Sequence, residues 1–391
     1  MADAEATLTT LLREIADEQQ YKNYDLQLKA FNTGGANYTS VLFYITVSAP
    51  GKEDLKLFAK VASVGEKFRS MGYVDRMYVS EQEFYNAVMK VWNGLQEKYD
   101  IADIDRYVFP KFYGGNPEFG KETVVLENLI AQGYNTYNRF KGVDWEYAAK
   151  AIEILAKFHA LSFIHQKANP DEYEKIAEKL KFESPPDDEA ISELWAKMIE
   201  QPIQVLDEEG QKKVRNFFNG VNLRDLYLKY NTPRKHKILI HGDYRPSNLL
   251  HKEHNGHLFV IPVDYQTVHT GCPVIDLIYF ISLATDVGFR AWHWDRLLAH
   301  YYDQLSLALT RFKMDPTEVY PKEEFDEDLK EMFPYALLVG VMVLPVVTVE
   351  SENAPQMSDD TDIDAFVLKP NEIFADRFAG LVRDLIKRDI I

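Results

Sequence analysis

The chain has 391 residues, and its 44 Lys and Arg against 61 Asp and Glu give a formal net charge of −17. This acidic balance disfavours a broad surface that tracks phosphates, so nucleic acid is not an expected partner. The length allows one bilobal unit or two to three domains. Cys272 is the only cysteine in the sequence and cannot form an internal disulfide, which points to a reducing environment.

Two segments of the sequence bear on localisation. The first 20 residues lack the basic start and apolar centre of a signal peptide, so we expect a cytoplasmic protein. Residues 332–349, MFPYALLVGVMVLPVVTV, contain no charged residue and approach the length of a membrane span. However, Pro334 and Pro345 interrupt this run, and its flanks are acidic without a basic cluster. We interpret the run as a buried helix and expect no membrane span.

The first part of the chain predicts a small sheet with one long helix. After a polar N-terminal helix, residues 26–63 predict three antiparallel strands, with turns at Gly34-Gly35 and Pro50-Gly51. Residues 78–96 carry apolar side chains at helical spacing. Residues 106–115 and 121–129 predict two more strands.

The rest of the chain predicts mainly helices. Asp144 is a good N-cap residue for a long helix that follows it. Residues 169–195 are highly charged and contain Pro185-Pro186, so we expect an exposed helix and a connector there. Residues 238–266 are the exception, because two apolar strands flank a turn with Asn255-Gly256.

The predicted fold is therefore α+β and bilobal. Residues 1–129 form the expected small sheet lobe, and residues 130–391 form a larger, mainly helical lobe with an embedded hairpin.

Residues 238–266 also hold the polar side chains with the clearest chemistry. Phosphoryl transfer needs a carboxylate to orient the attacking hydroxyl, metal ions to neutralise the phosphates, and a cation on the phosphoryl oxygens. Asp243 could be the base, and Arg245 could face the transferred phosphate. Asn248 and Asp264 could hold magnesium. Taken singly, each is better explained as a turn or capping residue, but together they favour catalysis.

Three histidines close to this constellation, His251, His254 and His257, invite a metal interpretation. Their spacing fits a polar hairpin turn, no cysteine lies near them, and Asn255-Gly256 is a strong turn signal. We interpret them as part of a surface loop.

The segments HGDYRPSN and VDYQ resemble the catalytic loop and the metal-binding Asp of aminoglycoside phosphotransferases and choline kinases, small-molecule kinases with a protein-kinase-like fold. The chain also resembles the ecdysteroid kinase-like family over roughly residues 32–280. The segments in that family's order are TGGANYTSVLFYITV, LFAKVAS, EQEFY, VVLENLIAQGY, LAKFHALS and GCPVIDLIYFI. The chain departs from the family at Arg245, where the family has Trp, and at Ser247, where it has Asn.

The resemblance implies roles for residues in the first lobe. The Gly34, Gly35 turn would cover the phosphates of ATP, and Lys60 would bind the α and β phosphates. Lys60 lies in the apolar segment LKLFAKVA, where an unpaired ammonium is costly, so it needs an acidic partner. Glu81 and Glu83 are the candidates, and the family's spacing favours Glu81.

Further roles are implied at the hinge and around the catalytic loop. The backbone groups of Glu127, Asn128 and Leu129 would hold adenine. His241 would belong to the catalytic set by bracing the loop rather than by taking a proton, and Asp276 would hold the same loop from inside.

The function implied by the resemblance is an ATP- and Mg²⁺-dependent phosphotransferase for the hydroxyl of a small lipophilic molecule, with an ecdysteroid-like steroid as the substrate class. The aromatic content of 13% and the apolar run in residues 332–349 are compatible with an apolar acceptor pocket. One alternative is an inactive relative that binds a nucleotide or a lipophile. The other is a choline- or aminoglycoside-type kinase, whose cationic acceptor would suit the acidic chain. Protein substrates are not expected, because no D-F-G and no A-P-E follow.

Overall fold

The structure is a computed structural model that describes residues 2–31, 39–69, 73–183, 188–355 and 361–391. The turn predicted at Gly34-Gly35 and the connector predicted at Pro185-Pro186 lie outside these residues. The strands are β1 (Asp25–Phe31), β2 (Ser40–Ser48), β3 (Leu55–Ala62), β4 (Phe112–Asn116), β5 (Thr123–Glu127), β6 (Ile238–Ile240), β7 (Leu249–His254), β8 (His257–Pro262) and β9 (His269–Gly271).

The helices up to the catalytic segment are α1 (Ala2–Glu18), α2 (Glu66–Arg69), α3 (Tyr73–Glu83), α4 (Met89–Lys98), α5 (Trp145–Ala168), α6 (Pro170–Lys179), α7 (Glu189–Ile203), α8 (Glu208–Phe218) and α9 (Leu223–Asn231). The later helices are α10 (Val274–Ala284), α11 (Val287–Arg311), α12 (Pro316–Val319), α13 (Lys322–Met332), α14 (Tyr335–Met342), α15 (Leu344–Thr348) and α16 (Glu372–Lys387). A single π-helical turn, Phe84–Val88, joins α3 to α4.

The N-terminal sheet is antiparallel and has five strands in the order β1-β2-β3-β5-β4. Side chains alternate between its faces, as strand geometry requires. From β3, Leu57, Ala59 and Val61 pack in an apolar cluster with α1. Phe58 and Lys60 face the opposite side, where they line a cavity. The alternation thus directs Lys60 toward the cavity.

The expected helix over residues 78–96 is confirmed, although it starts earlier and contains the π turn. The prediction of a strand over residues 106–115 is wrong for its first half, because β4 begins only at Phe112. Pro110 precedes β4 and has no N–H for a ladder hydrogen bond, which explains the late start.

The helical part of the chain is built around α5, which is buried on all sides for most of its length. Asp144 caps this helix as predicted, since its Oδ1 accepts a hydrogen bond of 2.8 Å from the backbone N–H of Tyr147. The hairpin within residues 238–266 is formed by β7 and β8. Its turn residues Asn255 and Gly256 have φ values of 52° and 74°, as a type I′ turn requires.

The apolar run over residues 332–349 forms two short buried helices, α14 and α15, rather than the single helix that we expected. Pro345 lies in the first turn of α15 and cannot continue a preceding helix, because it lacks an N–H. Within the described ranges, no helix is long and apolar enough to cross a membrane. The sheet-then-helices order of elements confirms the predicted α+β class.

Candidate active site

The loop that carries Asp243 follows β6 and is held from inside by Asp276. The backbone N–H of His241 donates to Asp276 Oδ2 at 2.6 Å, and the N–H of Gly242 donates to Oδ1 at 2.8 Å. Burial alone would raise the pKa of Asp276, but hydrogen bonds from His159 and from the loop hold it below its ordinary value. A charged, buried carboxylate therefore fixes the loop backbone.

Gly242 is required for the shape of this loop. Its φ is +79°, and a Cβ at this position would lie 2.5 Å from the carbonyl oxygen of Thr267. A side chain would therefore suffer both backbone strain and a backbone clash.

His241 braces the loop against the end of β8. Its ring is fully buried, and Nε2 lies 3.2 Å from the carbonyl oxygen of Val263. Burial lowers the pKa of His241 below its ordinary value, so the ring is neutral and can donate one hydrogen bond. This arrangement suits the bracing role that the resemblance implied.

The carboxylate of Asp243 is held by three donors. Its Oδ1 accepts hydrogen bonds from Nε of Arg245 at 2.8 Å and from the hydroxyl of Tyr279 at 2.6 Å. Its Oδ2 accepts a hydrogen bond of 2.8 Å from Nδ2 of Asn248. Burial would lower the pKa of Arg245, but the charge of Asp243 outweighs this effect and raises it. Arg245 therefore stays charged although it is buried.

Lys60 joins the sheet to the segment after β8. Its Nζ lies 3.0 Å from Oε2 of Glu81 and 2.6 Å from Oδ1 of Asp264. Burial opposes the ammonium, but the two carboxylates outweigh it and raise the pKa of Lys60. Glu83, the rival partner, instead pairs with Lys179 at 2.9 Å. The structure thus brings Glu81, and not Glu83, against Lys60.

The pKa values of the two carboxylates beside Lys60 are shifted in opposite directions. Burial raises the pKa of Glu81. Burial acts in the same direction on Asp264, but the charge of Lys60 reverses the effect and lowers the pKa of Asp264. Asp264 also has a φ of 70°, a region that non-glycine residues seldom adopt and that is enriched at functional sites.

Asn248 and Asp264 offer oxygen ligands of the kind that magnesium prefers. Nδ2 of Asn248 donates to the backbone and side-chain oxygens of Asp243, at 3.0 and 2.8 Å. These bonds fix the amide orientation and turn its Oδ1 away from Asp243. In the described ranges no group of three or more His, Cys, Asp and Glu could hold a metal ion. The donor set fits Mg²⁺ that draws its other ligands from phosphates, because Mg²⁺ usually takes only one or two protein carboxylates.

A cavity of about 620 Å³ lies between the sheet and the hairpin. Lys60, Glu81, Asn248 and Asp264 line its polar part. The hinge residues, which also line it, are Glu127, Asn128 and Leu129, and the aromatic side chains from the sheet are Phe31, Tyr44 and Phe58. Such a cavity is large enough for a small-molecule ligand of ordinary size.

The side chains of the hinge are occupied by local contacts. Oε1 of Glu127 accepts from the N–H of Lys111 at 2.7 Å, and Oε2 accepts from Gln132 at 2.6 Å. Oδ1 of Asn128 accepts from the N–H of Ala131 at 3.0 Å. These contacts fix the local shape of the loop.

A second cavity, of about 350 Å³, lies on the other side of Asp264. Asp243, Arg245, Tyr279 and Asp264 line its polar end. The apolar lining comes mostly from the run over residues 332–349, with Leu338, Val339, Met342, Val343, Val346 and Val347. Asp264 lines both cavities, so it marks the point where they meet.

Apart from the residues of the predicted hinge, the predicted site residues that the structure describes form two groups. Asp243, Arg245, Asn248 and His241 come together around the loop after β6, and Lys60 and Glu81 meet Asp264. Gly34 and Gly35 lie outside the described residues. Of the three nearby histidines, His254 and His257 are exposed at the hairpin turn, and the ring of His251 packs against Tyr137 and Tyr147.

Tyr279 and Gln266 are site residues that the sequence analysis missed. Gln266 Oε1 lies 3.4 Å from Nζ of Lys60, and Tyr279 contacts Asp243. The sequence signal for Tyr279 was its position as a single phenol in the apolar segment VIDLIYFISLA. A buried hydroxyl requires a hydrogen-bonding partner.

Together, a five-stranded antiparallel sheet, a hinge and a mainly helical region define a protein-kinase-like α+β fold. A sequence model described as the ecdysteroid kinase-like family matches residues 34–314, more than half of the chain. The protein therefore belongs to the ecdysteroid kinase-like family and is a small-molecule kinase by family.

The chain is also similar to solved structures of low sequence identity. One is a mutant aminoglycoside 2'-phosphotransferase-IIIa in complex with GDP, with a TM-score of 0.41, 13% identity, and coverage of 85% of this chain and 94% of that chain. Another is a microcompartment-associated aminopropanol kinase, with a TM-score of 0.40, 10% identity, and coverage of 97% and 98%. No curated protein matches the chain significantly.

Proposed function

We propose that the protein transfers the γ-phosphoryl group of ATP to a hydroxyl of a small lipophilic molecule. The observation that carries the proposal is the meeting of the two cavities at Asp264. Lys60, paired with Glu81, lines one cavity, and Asp243 lines the other. A phosphoryl donor and a phosphoryl acceptor can therefore approach the same point from opposite sides.

The cavity of about 620 Å³ is the proposed ATP site. Lys60, kept charged by Glu81 and Asp264, would bind the α and β phosphates, and the turn at Gly34 and Gly35 would cover them. The backbone of Glu127, Asn128 and Leu129 would hold adenine. Residues 1–129 would thus form the nucleotide-binding lobe, and residues 130–391 the catalytic and substrate-binding lobe.

Asn248 and Asp264 would hold Mg²⁺. When bound, this ion would supply positive charge to the phosphate oxygens. Arg245 lies beside Asp243 and stays charged, so its guanidinium would add a second positive charge at the transferred group.

Asp243 would accept the proton of the attacking hydroxyl. The new bond forms between the acceptor oxygen and the γ phosphorus, and the bond from the γ phosphorus to the bridging oxygen of ADP breaks. The proton moves to Asp243, while the bonding electrons leave with ADP. His241 and Asp276 hold the loop that keeps Asp243 in this position.

The cavity of about 350 Å³ is the proposed acceptor site. Its lining by α14, α15 and the residues between them is apolar, which favours a lipophilic body over the cationic one of choline or an aminoglycoside. An ecdysteroid-like steroid is the class that the family suggests. Its hydroxyl would face Asp243, and its ring system would face Leu338 and Val343.

The proposal is tested by incubating the purified protein with ATP, Mg²⁺ and a panel that holds an ecdysteroid, choline and an aminoglycoside. We expect mass spectrometry to detect one added phosphoryl group on the ecdysteroid. Asp243→Asn is the control. This variant should still bind ATP, but its kcat should be lower than that of the wild type by a factor on the order of 10² to 10⁴. ATP binding without any phosphorylated product would instead favour an inactive relative, and a product from choline alone would favour the cationic class.

A further inference from the structure

Tyr279 occupies an unusual position in α10. Every residue of this helix is buried, and Tyr279 lies one turn after Asp276, on the same face. Asp276 holds the backbone of the loop after β6, and the Tyr279 hydroxyl donates to Oδ1 of Asp243 at 2.6 Å. One face of one helix therefore fixes both the backbone of this loop and the side chain of its carboxylate.

The donors around Asp243 leave its two oxygens in different states. Oδ1 accepts from both Tyr279 and Arg245, and each carboxylate oxygen has about two lone-pair sites. Oδ2 accepts from Asn248, which leaves it one site. A hydroxyl that approaches Asp243 can therefore be accepted at Oδ2 and not at Oδ1.

We propose that Tyr279 is a positioning residue that, with Arg245, closes Oδ1 of Asp243 and makes Oδ2 the proton-accepting oxygen. This inference rests on the proposed function, because it concerns the base of that reaction. Oδ2 is the oxygen next to Asn248, the proposed magnesium ligand, so the hydroxyl is received on the side of the metal and the phosphates. Tyr279 also lines the acceptor cavity, where a missing hydroxyl would leave Oδ1 open to water or to a misaligned acceptor.

Tyr279 can serve only as a donor in this arrangement. Burial and the nearby charge of Asp243 raise the pKa of its phenol well above the ordinary value. The hydroxyl therefore keeps its proton over the pH range in which a kinase works, and it remains a hydrogen-bond donor to Oδ1 of Asp243.

The test compares wild-type protein with Tyr279→Phe, using ATP, Mg²⁺ and the ecdysteroid of the panel. We expect kcat to fall about tenfold with little change in the KM for ATP, since a donor to the base acts on the chemical step. The KM for the ecdysteroid should also change little, because the variant keeps the ring that lines the acceptor cavity. An unchanged kcat would overturn the proposal.

Tyr320→Phe is the matched control. The Tyr320 hydroxyl donates to Oδ2 of the buried Asp328 at 2.7 Å, away from both cavities. This variant should lose thermal stability in the same way as Tyr279→Phe, but its kcat should stay close to that of the wild type. A loss of kcat of equal size in both variants would mean that a general loosening of the fold, and not the contact with Asp243, causes the effect.

A second measurement needs no acceptor. Tyr279→Phe should lower the melting temperature clearly when it is introduced into the wild type. It should lower the melting temperature only little when it is introduced into an Asp243→Ala variant, because the carboxylate that accepts the hydrogen bond is already missing. Equal losses in the two backgrounds would refute the contact itself. This double-mutant cycle can reveal coupling between Tyr279 and Asp243 even if the wild type phosphorylates no hydroxyl compound. In that case the proposed function fails, and the selection of Oδ2 as the proton-accepting oxygen fails with it.

Discussion

Nζ of Lys60 lies 2.6 Å from Oδ1 of Asp264, although the two residues are 204 positions apart in the chain. This contact ties β3 of the sheet to the connection after the hairpin. It also gives Asp264 a low pKa, so that a charged carboxylate is present where the two cavities meet. Under the proposed function, the phosphates of ATP would have to compete with Asp264 for the ammonium of Lys60.

The first prediction concerns Lys60→Met. Removal of one partner from a buried ion pair leaves uncompensated charge, and here it leaves Glu81 beside Asp264 without a cation. We expect the free energy of unfolding to fall by about 3–5 kcal/mol, measured by urea denaturation at neutral pH. Lys56→Met is the control on the same strand, because Lys56 is exposed and its change should have little effect. A loss of similar size in both variants would contradict a special role for the buried pair.

The pH dependence of this loss follows from the pKa of Lys60. The raised pKa means that the folded protein holds the proton more tightly than the unfolded chain. The contribution of Lys60 is therefore fully present below its ordinary pKa of 10.5 and is lost as the pH rises through the higher pKa of the folded state. The wild type should lose this stability in alkaline solution, and Lys60→Met should lack that part of the dependence.

The second prediction is that Asp264→Asn removes the magnesium dependence of ATP binding. The amide keeps the shape of the side chain but loses the charge, and Mg²⁺ would lose its most direct protein carboxylate. Calorimetric titration with ATP, with and without Mg²⁺, should give a difference in the wild type and almost none in the variant. Asp54→Asn, at an exposed site on the sheet, serves as control. Unchanged magnesium dependence in Asp264→Asn would mean that Asp264 acts only through Lys60.

Much of the site was predictable from local sequence because it depends on strand and loop positions. The alternation of β3 decides that Lys60 faces away from α1, and the order of the strand, loop and hairpin brings Asn248 near Asp243. The choice between Glu81 and Glu83 was open. Residues that are two positions apart on a helix point in directions that differ by about 200°, so only one of the two can face Lys60. Which one does so depends on how α3 packs, and that is tertiary information.

One contact could not be predicted for the same reason, and two element boundaries were missed although a proline marks each of them. The contact of Tyr279 with Asp243 spans 36 positions and depends on the docking of α10 against the loop. The break between α14 and α15 was signalled by Pro345, but the apolar run favoured one helix. The late start of β4 shows that a proline also overrides a good strand pattern.

The third prediction concerns the acceptor cavity. Val343 lies between α14 and α15, is half-buried and lines the apolar end. Val343→Phe should fill part of the cavity, so that the KM for the ecdysteroid rises on the order of tenfold while the KM for ATP stays the same. Val221→Phe, at an exposed position outside both cavities, is the control. A rise in the KM for ATP alone would place the lipophile elsewhere.

The last prediction concerns Arg245, which lies on the same loop as Asp243. The guanidinium holds Oδ1 of Asp243 through Nε at 2.8 Å and remains charged although it is buried. If it also acts on the transferred phosphoryl group, its attraction counts more in the transition state than in bound ATP. Arg245→Ala should then lower kcat about 10²-fold and raise the KM for ATP much less.

The rival explanation is that Arg245 acts only by positioning Asp243. A double-mutant cycle with Asp243→Asn separates the two, because a residue that acts only through Asp243 has no further effect once that carboxylate is gone. We expect Arg245→Ala to lower the remaining kcat of Asp243→Asn by at least another order of magnitude, since a charge on the γ-phosphoryl oxygens is needed whichever group takes the proton. Arg245→Lys should recover part of this loss, because it restores the charge without the planar fork. A double variant no slower than Asp243→Asn would assign Arg245 to the carboxylate alone.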